Sequence, residues 1–358
     1  MQSFQIVEHG KPLQSVIRET PKAQGNEILV RVTHSGVCHS DLHIWDGYFE
    51  LGAGKRFYVK DRGCVPPFTI GHEPFGKVVE LGSAVAPSSP IKVGSNYIVY
   101  PWQGCGECAV CKDGDDNYCL NSRFVGIMRP GAYTTHLVVP DERYLVNADG
   151  IDPAFACTLA CSGLTVFSAI KKLAELRERD WVVVLGCGGL GLIAVAMLKA
   201  IGISQIIACD IDAVKLQEAR TLGAAATVNT LDADAAGQLA KIGGGNVVAA
   251  LDFVGMPATA TLGIAALRKG GRYVLCGLFG GEITLPLPPI AQRAISIVGS
   301  YVGNLQELRD VVALAKSGKL KQPPIEVRAA SEANRSLEEL KAGKVLGRIV
   351  LDFGNATE

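Results

Sequence analysis

Four cysteines, Cys105, Cys108, Cys111 and Cys119, stand in a C-x2-C-x2-C-x7-C run. Thiolates at this spacing close a tetrahedron around zinc, and Gly104, Gly106 and Gly114 permit the tight loop required. Four protein ligands leave no position for a substrate, so the implied metal is structural. An iron–sulfur cluster uses the same donors and is the competing reading at this point. Other ligand types are dispersed: Cys38 in Gly36-Val-Cys38-His39-Ser40-Asp41-Leu-His43, His72 in Gly71-His72-Glu73, and Cys161 in Cys161-Ser-Gly-Leu-Thr165. Two thiolates and an imidazole with a fourth position open make a catalytic type of zinc site. Cys157 rivals Cys161 for the second thiolate, because residues four apart share a helix face.

A third signature suits a dinucleotide. Val182–Leu185 reads as a strand and runs into Gly186-Cys187-Gly188-Gly189-Leu190-Gly191, which opens a helix. The first glycine permits the turn, the second admits backbone to the pyrophosphate, and the third lets helix pack on strand. Asp210 closes the next strand about 20 residues on, where a carboxylate accepts the adenosine ribose hydroxyls. An acid there repels a 2′-phosphate, and no arginine follows it directly, so NAD is expected rather than NADP. Lys215 is near enough in sequence to reach the same ribose or to be a solvated helix lysine.

The elements that position these residues fall into three stretches. Residues 1–153 hold short β-like runs (Ile28–Val32, Lys77–Leu81, Tyr97–Tyr100) between Gly and Pro, with most of the His and Cys. In 154–298, strands at Trp181–Leu185, Gln205–Cys209, Ala226–Val228, Val247–Asp252, Arg272–Cys276 and Ile295–Gly299 alternate with helices. The helices are expected near Gly189–Ile201, Ala213–Leu222, Ala233–Ile242 and Pro257–Leu267. Six strands with intervening helices imply an α/β, doubly wound parallel sheet. The tail, 299–358, has a helix near Leu305–Lys316 and an apolar run at Arg348–Phe353, and is expected to rejoin the first stretch.

Composition limits the partners. The 358 residues carry 35 basic and 35 acidic side chains with no long run of either sign, which argues against nucleic acid or an anionic membrane. The apolar stretch Leu190–Ile203 is broken by Lys199 and too short to span a bilayer. Met1–Gly10 lacks the pattern of a signal peptide, so a cytoplasmic location is expected. Eleven cysteines in a reducing compartment read as metal ligands plus buried thiols. Cys64, Cys157, Cys187, Cys209 and Cys276 are the expected free thiols, with Cys64 the most exposed.

Taken in order, Gly36–His43, Gly71–Glu73, the four-cysteine lobe, Cys161–Thr165 and Gly186–Gly191 resemble the zinc-containing medium-chain alcohol dehydrogenases over nearly the whole chain. Pro101–Gly104, Val298–Asn304 and the long stretch between Cys38 and His72 resemble the homotetrameric microbial branch. The resemblance implies a GroES-like, mainly β catalytic domain and a Rossmann NAD domain with the active site between them. It implies two zinc ions per subunit, a small alcohol or carbonyl substrate, and Cys38, His72 and Cys161 as catalytic zinc ligands. Glu73 would approach the metal and Asp41 would orient His72. Ser40 would take the alcohol proton and His43 would pass it toward solvent. Lys215 would join Asp210 on the ribose, Thr165 would meet the cofactor, and Arg348 and His39 would lie near the pyrophosphate. His39 departs from the arginine of several relatives, and a neutral imidazole holds phosphate less firmly. Trp102, Phe124, Ile127 and Tyr301 would line a largely aromatic pocket for medium-length or aromatic alcohols. A polyol or sugar dehydrogenase is the nearest rival, although such relatives usually carry a carboxylate at the place of Cys161. A non-catalytic binding protein keeping the fold is the more distant one. The segment Phe49–Pro67 suits either a lid or a subunit contact.

Overall fold

A computed structural model describes residues 1–354, so the expected 299–358 stretch runs four positions past the described residues. Six parallel strands form the cofactor-side sheet. Their spatial order is Ala226–Asn229, Ile206–Asp210, Trp181–Leu185, Val247–Asp252, Arg272–Leu275 and Ser296–Gly299. The first strand in sequence sits third in space, so the chain reverses direction beside Trp181–Leu185, where open α/β sheets place ligands. Period-two alternation separates two cores. Val182 and Val184 join the larger core, whereas Val183 and Leu185 face Ile207, Leu239 and Ile264. A strand buried on both faces therefore reads as an uninterrupted apolar run.

The second body is built on Ile28–Val37. Its first half pairs with His136–Val139 on one side, and Pro74–Leu81 runs along the other side for most of the strand. Its last four residues pair with Arg348–Asp352, which in turn pairs in parallel with Ile325–Ala329. The C-terminal strands thus complete the N-terminal sheet, and Asn96–Val99 and Leu145–Asn147 extend its far edge. This mixture of antiparallel and parallel pairing places Cys38, at the end of Ile28–Val37, directly opposite the C-terminal strand.

The two bodies are joined by Pro153–Lys171. Asp152 caps its N-terminus through Phe155 N–H (2.9 Å), and Pro153 occupies the first turn, where no donor is required. Among the described residues this is the one helical stretch long and apolar enough to cross a membrane, and it is buried inside the protein. It is longer than the apolar stretch Leu190–Ile203. Short helices at Leu287–Arg293 and Ala333–Lys341 and the strand Ile325–Ala329 were not anticipated. Cys64, expected to be the most exposed free thiol, is fully buried, and desolvation pushes it up to about 12.

Candidate active site and metal centres

Cys38 ends a strand and caps the helix His39–Asp46. Its N–H donates to Asp41 Oδ2 (2.9 Å), and Asp41 Oδ1 accepts from His72 Nδ1 (2.8 Å). Tyr133 donates its hydroxyl to the same carboxylate (3.2 Å). With Nδ1 held, the buried Nε2 of His72 has no partner and is left as a ligand atom. Two glycines make the approach possible. A Cβ on Gly36 would lie 1.8 Å from Glu73 Oε2, and one on Gly71 would lie 2.2 Å from the Tyr133 ring.

Cys161 arrives from a π-turn, Leu159–Gly163, inside the connecting helix. This extra residue per turn separates the two rival cysteines. Cys161 Sγ lies 3.9 Å from Cys38 Sγ, whereas Cys157 Sγ turns back to the Ala154 carbonyl (3.3 Å). Ligand atoms of Cys38, His72, Glu73 and Cys161 all fall within 4.8 Å of one another, and all four residues are buried. Sulfurs on a tetrahedral zinc, each about 2.3 Å from the ion, stand roughly 3.8 Å apart. The observed spacing and the orphaned His72 nitrogen therefore fit zinc. The hydrogen bond from Cys161 holds the Cys38 thiol well below its usual range, against the desolvation of a buried site. Glu73 is within reach but already engaged, with both carboxylate oxygens 2.5 Å from Arg348 Nη2.

The four-cysteine lobe shows the same spacing: 4.0 Å between the sulfurs of Cys105 and Cys111, and 3.8 Å between those of Cys108 and Cys119. All four ligand atoms lie within 4.8 Å. Gly104 is required there, because a Cβ would lie 2.3 Å from Cys111 Sγ. Backbone N–H groups of Glu107 and Cys108 stabilise the Cys105 thiolate and bring its pKa down to about 6. The lobe is tied to the pocket: Asn304 donates to Asp115 (2.9 Å), and Asn117 donates to the Tyr301 carbonyl (3.3 Å).

Next to His72 lies an aromatic wall. Trp102 is 5.5 Å from the His72 ring and is fixed by Nε1 donating to the Ala160 carbonyl (3.1 Å). Phe124 packs edge-on against Trp102 at 5.4 Å, and Tyr301 meets both rings near 6.2 and 6.3 Å. Ile127 is half-buried and packs on the same core. Ser40 and His43 share one helix face three residues apart. Burial, and then the neighbouring His39, bring the His43 pKa down to about 4, so its ring is neutral at pH 7. It stacks on Phe49 at 4.4 Å, while the His39 ring lies tilted against Phe279 of the cofactor-side body at 4.4 Å.

The glycine turn has the geometry a pyrophosphate needs. Gly186 adopts φ +86°, and a Cβ on Gly191 would lie 1.7 Å from the Gly186 carbonyl oxygen. Gly188, the N-cap of Gly189–Ala200, faces open space, leaving its backbone approachable. Leu190 is partly buried behind it. Asp210 is oriented by the N–H groups of Cys187 (2.6 Å) and Asp212 (2.9 Å). Lys215 Nζ reaches the Gly343 carbonyl at 3.4 Å, and Thr165 lies buried on Leu164–Lys171. Arg348 stands against the turn, since a Cβ on Gly189 would meet its Cδ at 2.3 Å. Its guanidinium is committed to Glu73, but the buried Nε has no partner and suits a phosphate oxygen. Tyr133, Phe49 and Phe279 were missed at the level of sequence, where nothing distinguishes them from core or loop aromatics.

Comparison with known proteins places this geometry. Residues 24–149 match the alcohol dehydrogenase GroES-like domain and residues 189–317 match the zinc-binding dehydrogenase family. An NAD-dependent alcohol dehydrogenase of Saccharolobus solfataricus is 34% identical over 352 residues, covering 98% of this chain and 99% of the relative. One from Sulfurisphaera tokodaii is 33% identical over 353 residues, with the same coverage. The crystal structure of the Aeropyrum pernix alcohol dehydrogenase is 31% identical, with a TM-score of 0.87 over 98% of this chain and 100% of that one. The chain belongs to the zinc-binding medium-chain alcohol dehydrogenase family. It is an NAD-dependent oxidoreductase with a GroES-like domain, a Rossmann-type sheet and two candidate zinc sites.

Proposed function

We propose that this chain, as a homotetramer with two zinc ions per subunit, interconverts medium-chain or aromatic alcohols and the matching aldehydes or ketones. The observation that carries the substrate reading is the Trp102–Phe124–Tyr301 wall beside His72, which offers apolar area and no fan of hydrogen-bond partners for a polyol. The tetramer is drawn from the resemblance of Val298–Asn304 to that branch.

Cys38, His72 and Cys161 hold the catalytic zinc, Asp41 and Tyr133 fix His72, and Cys105, Cys108, Cys111 and Cys119 hold the structural one. When bound, zinc supplies Lewis-acid chemistry that brings an alcohol's pKa toward neutrality, and NAD supplies the hydride acceptor. Ser40 Oγ accepts the substrate proton, and His43 passes it to solvent. A ring with pKa about 4 releases that proton readily at pH 7 instead of storing it. Trp102 and Phe124 orient the carbon chain and exclude water. Asp210, Lys215 and the turn Gly186–Gly191 bind the dinucleotide, with His39, Arg348 and Thr165 along its length.

Absorbance of NADH with benzyl alcohol, hexanol and sorbitol, measured alongside zinc content, tests the reading. Turnover on the first two, and its loss below detection in Cys38→Ser or His72→Ala with circular dichroism unchanged, is expected. Equal efficiency on sorbitol and benzyl alcohol would sink the substrate class, and full activity in either variant would sink the ligand set.

A further inference from the structure

Among the described residues, Ala53 (φ +48°), Ala294 (+49°) and Val302 (+43°) take a positive φ without being glycine. Two of them have local reasons. Ala53 lies at the tip of the hairpin formed by strands Tyr48–Gly52 and Lys55–Tyr58, and Ala294 ends the helix Leu287–Arg293. Val302 is in neither place, and a β-branched side chain is poorly suited to that region, where glycine is the usual occupant. Anchors on both sides hold it there. Segment 300–304 leaves the cofactor-side strand Ser296–Gly299 and enters the helix Leu305–Lys316. The Ser300 N–H donates to the Leu275 carbonyl (2.8 Å), which fixes the start of the segment to the cofactor-side sheet. Beyond it, the buried Tyr100 hydroxyl donates to the Gly303 carbonyl (2.8 Å), and Asn117 donates to the Tyr301 carbonyl (3.3 Å). Asn304 caps the helix by accepting from the Glu307 N–H (2.9 Å) and donates to Asp115 (2.9 Å). A strained conformation persists where its surroundings over-determine it, and such residues gather at functional sites. The residue that precedes Val302 is Tyr301, whose ring meets Trp102 and Phe124 at 6.2 and 6.3 Å while 42% of the residue stays exposed. With the helix fixed downstream, the backbone at 302 sets where that half-open ring points.

We infer that Val302 is a positioning residue that sets the substrate selectivity of this site by aiming Tyr301, and that the Tyr100 hydroxyl is the clamp that keeps Val302 in its strained conformation. The inference rests on the alcohol dehydrogenase reading above and adds a determinant of its selectivity. Glycine at 302 would follow the same path with or without the clamp. Valine follows it only while the clamp is closed, so the aim of Tyr301 depends on two side chains that act through the backbone. Neither makes or breaks a bond in the reaction. Their effect therefore falls on the binding of an aromatic alcohol and not on the hydride step.

One test reads the backbone and needs no turnover. At a negative φ alanine is more stabilising than glycine, and at a positive φ the order reverses. Val302→Gly is expected to melt above Val302→Ala. Both variants remove the buried branched side chain, so their order reports φ, and the opposite order would overturn the proposal. The other test is a double-variant cycle on the zinc-loaded enzyme with NAD, reading kcat/KM for benzyl alcohol relative to ethanol. Tyr100→Phe should lower that ratio about fivefold or more, through the KM for benzyl alcohol, while kcat on ethanol and the KM for NAD stay within about twofold. In the Val302→Gly background the same substitution should change the ratio by less than about twofold. Equal losses in the two backgrounds, or no loss in either, would overturn the clamp and leave the alcohol dehydrogenase intact. No turnover of either alcohol would overturn the site reading and the selectivity role together, whatever the melting order.

Discussion

Arg348 and Glu73, 275 positions apart, meet as an ion pair with 5% and 0% side-chain exposure beside the catalytic cysteines. Removing one member of such a pair strands a buried charge, at about 3–5 kcal/mol, whereas removing both costs far less. Arg348→Met should therefore lower the thermal midpoint by on the order of 10 °C. Adding Glu73→Gln to it should recover most of that loss, as read by calorimetry. A double variant as unstable as the single one would show that the arginine acts by packing and not by charge. The pair was not legible in the sequence. Likeness sent Glu73 toward the metal and Arg348 toward the pyrophosphate, and a strand pairing between Ile349 and Val37 brings the two tasks into contact. Cys38, His72 and the four-cysteine spacing were legible because ligand chemistry restricts residue type. The choice of Cys161 over Cys157 was not settled by residue type and spacing, since a π-turn leaves no mark in apolar periodicity.

The four-cysteine lobe is an element with little apolar core. Its short helix Ala109–Lys112 buries only Cys111, so a zinc held there would do what packing does elsewhere. Cys111→Ser should halve the zinc content, from two ions per subunit to one, and open the lobe to limited proteolysis. Because Asn117 holds the Tyr301 carbonyl, the proposed preference for benzyl alcohol over ethanol should narrow as well. Unchanged zinc content would remove Cys111 from the ligand set. The elements that the sequence disclosed are those with dense apolar runs, such as Trp181–Leu185 and Gly189–Ala200. Those it hid bury little apolar surface. Leu287–Arg293 buries no residue, Ala333–Lys341 buries only Ala333, Ser336 and Leu337, and Ile325–Ala329 is mostly exposed at the end of its sheet.

At the scale of the molecule, the two bodies also meet through the Tyr48–Tyr58 hairpin, which lies against the cofactor-side loop Gly280–Glu282 of the same chain. Phe57, Phe49, His43, His39 and Phe279 form a run of adjoining rings across that junction, with neighbouring centroids 4.4 to 6.4 Å apart. The hairpin therefore covers one side of His43 while resting on the cofactor-side body. Gly280 is the point to test. It adopts φ +98°, and a Cβ would lie 2.4 Å from the Glu50 carbonyl oxygen. Gly280→Ala thus pays for backbone strain and also pushes the hairpin off the loop. Gly270→Ala is the matched control, since Gly270 has φ +74° and nothing within 4 Å of a built Cβ. Both substitutions should cost about 1 kcal/mol or more in stability through φ alone. Only Gly280→Ala should raise the KM for NAD, by about three- to tenfold, and lower kcat, because a displaced hairpin leaves His43 without its stacking partner Phe49 and Phe279 without its seat. Steady-state kinetics of the two variants side by side separates the effects. If they match, the contact is a resting place for the hairpin, and closure of the cleft must be sought in the connecting helix Pro153–Lys171 instead.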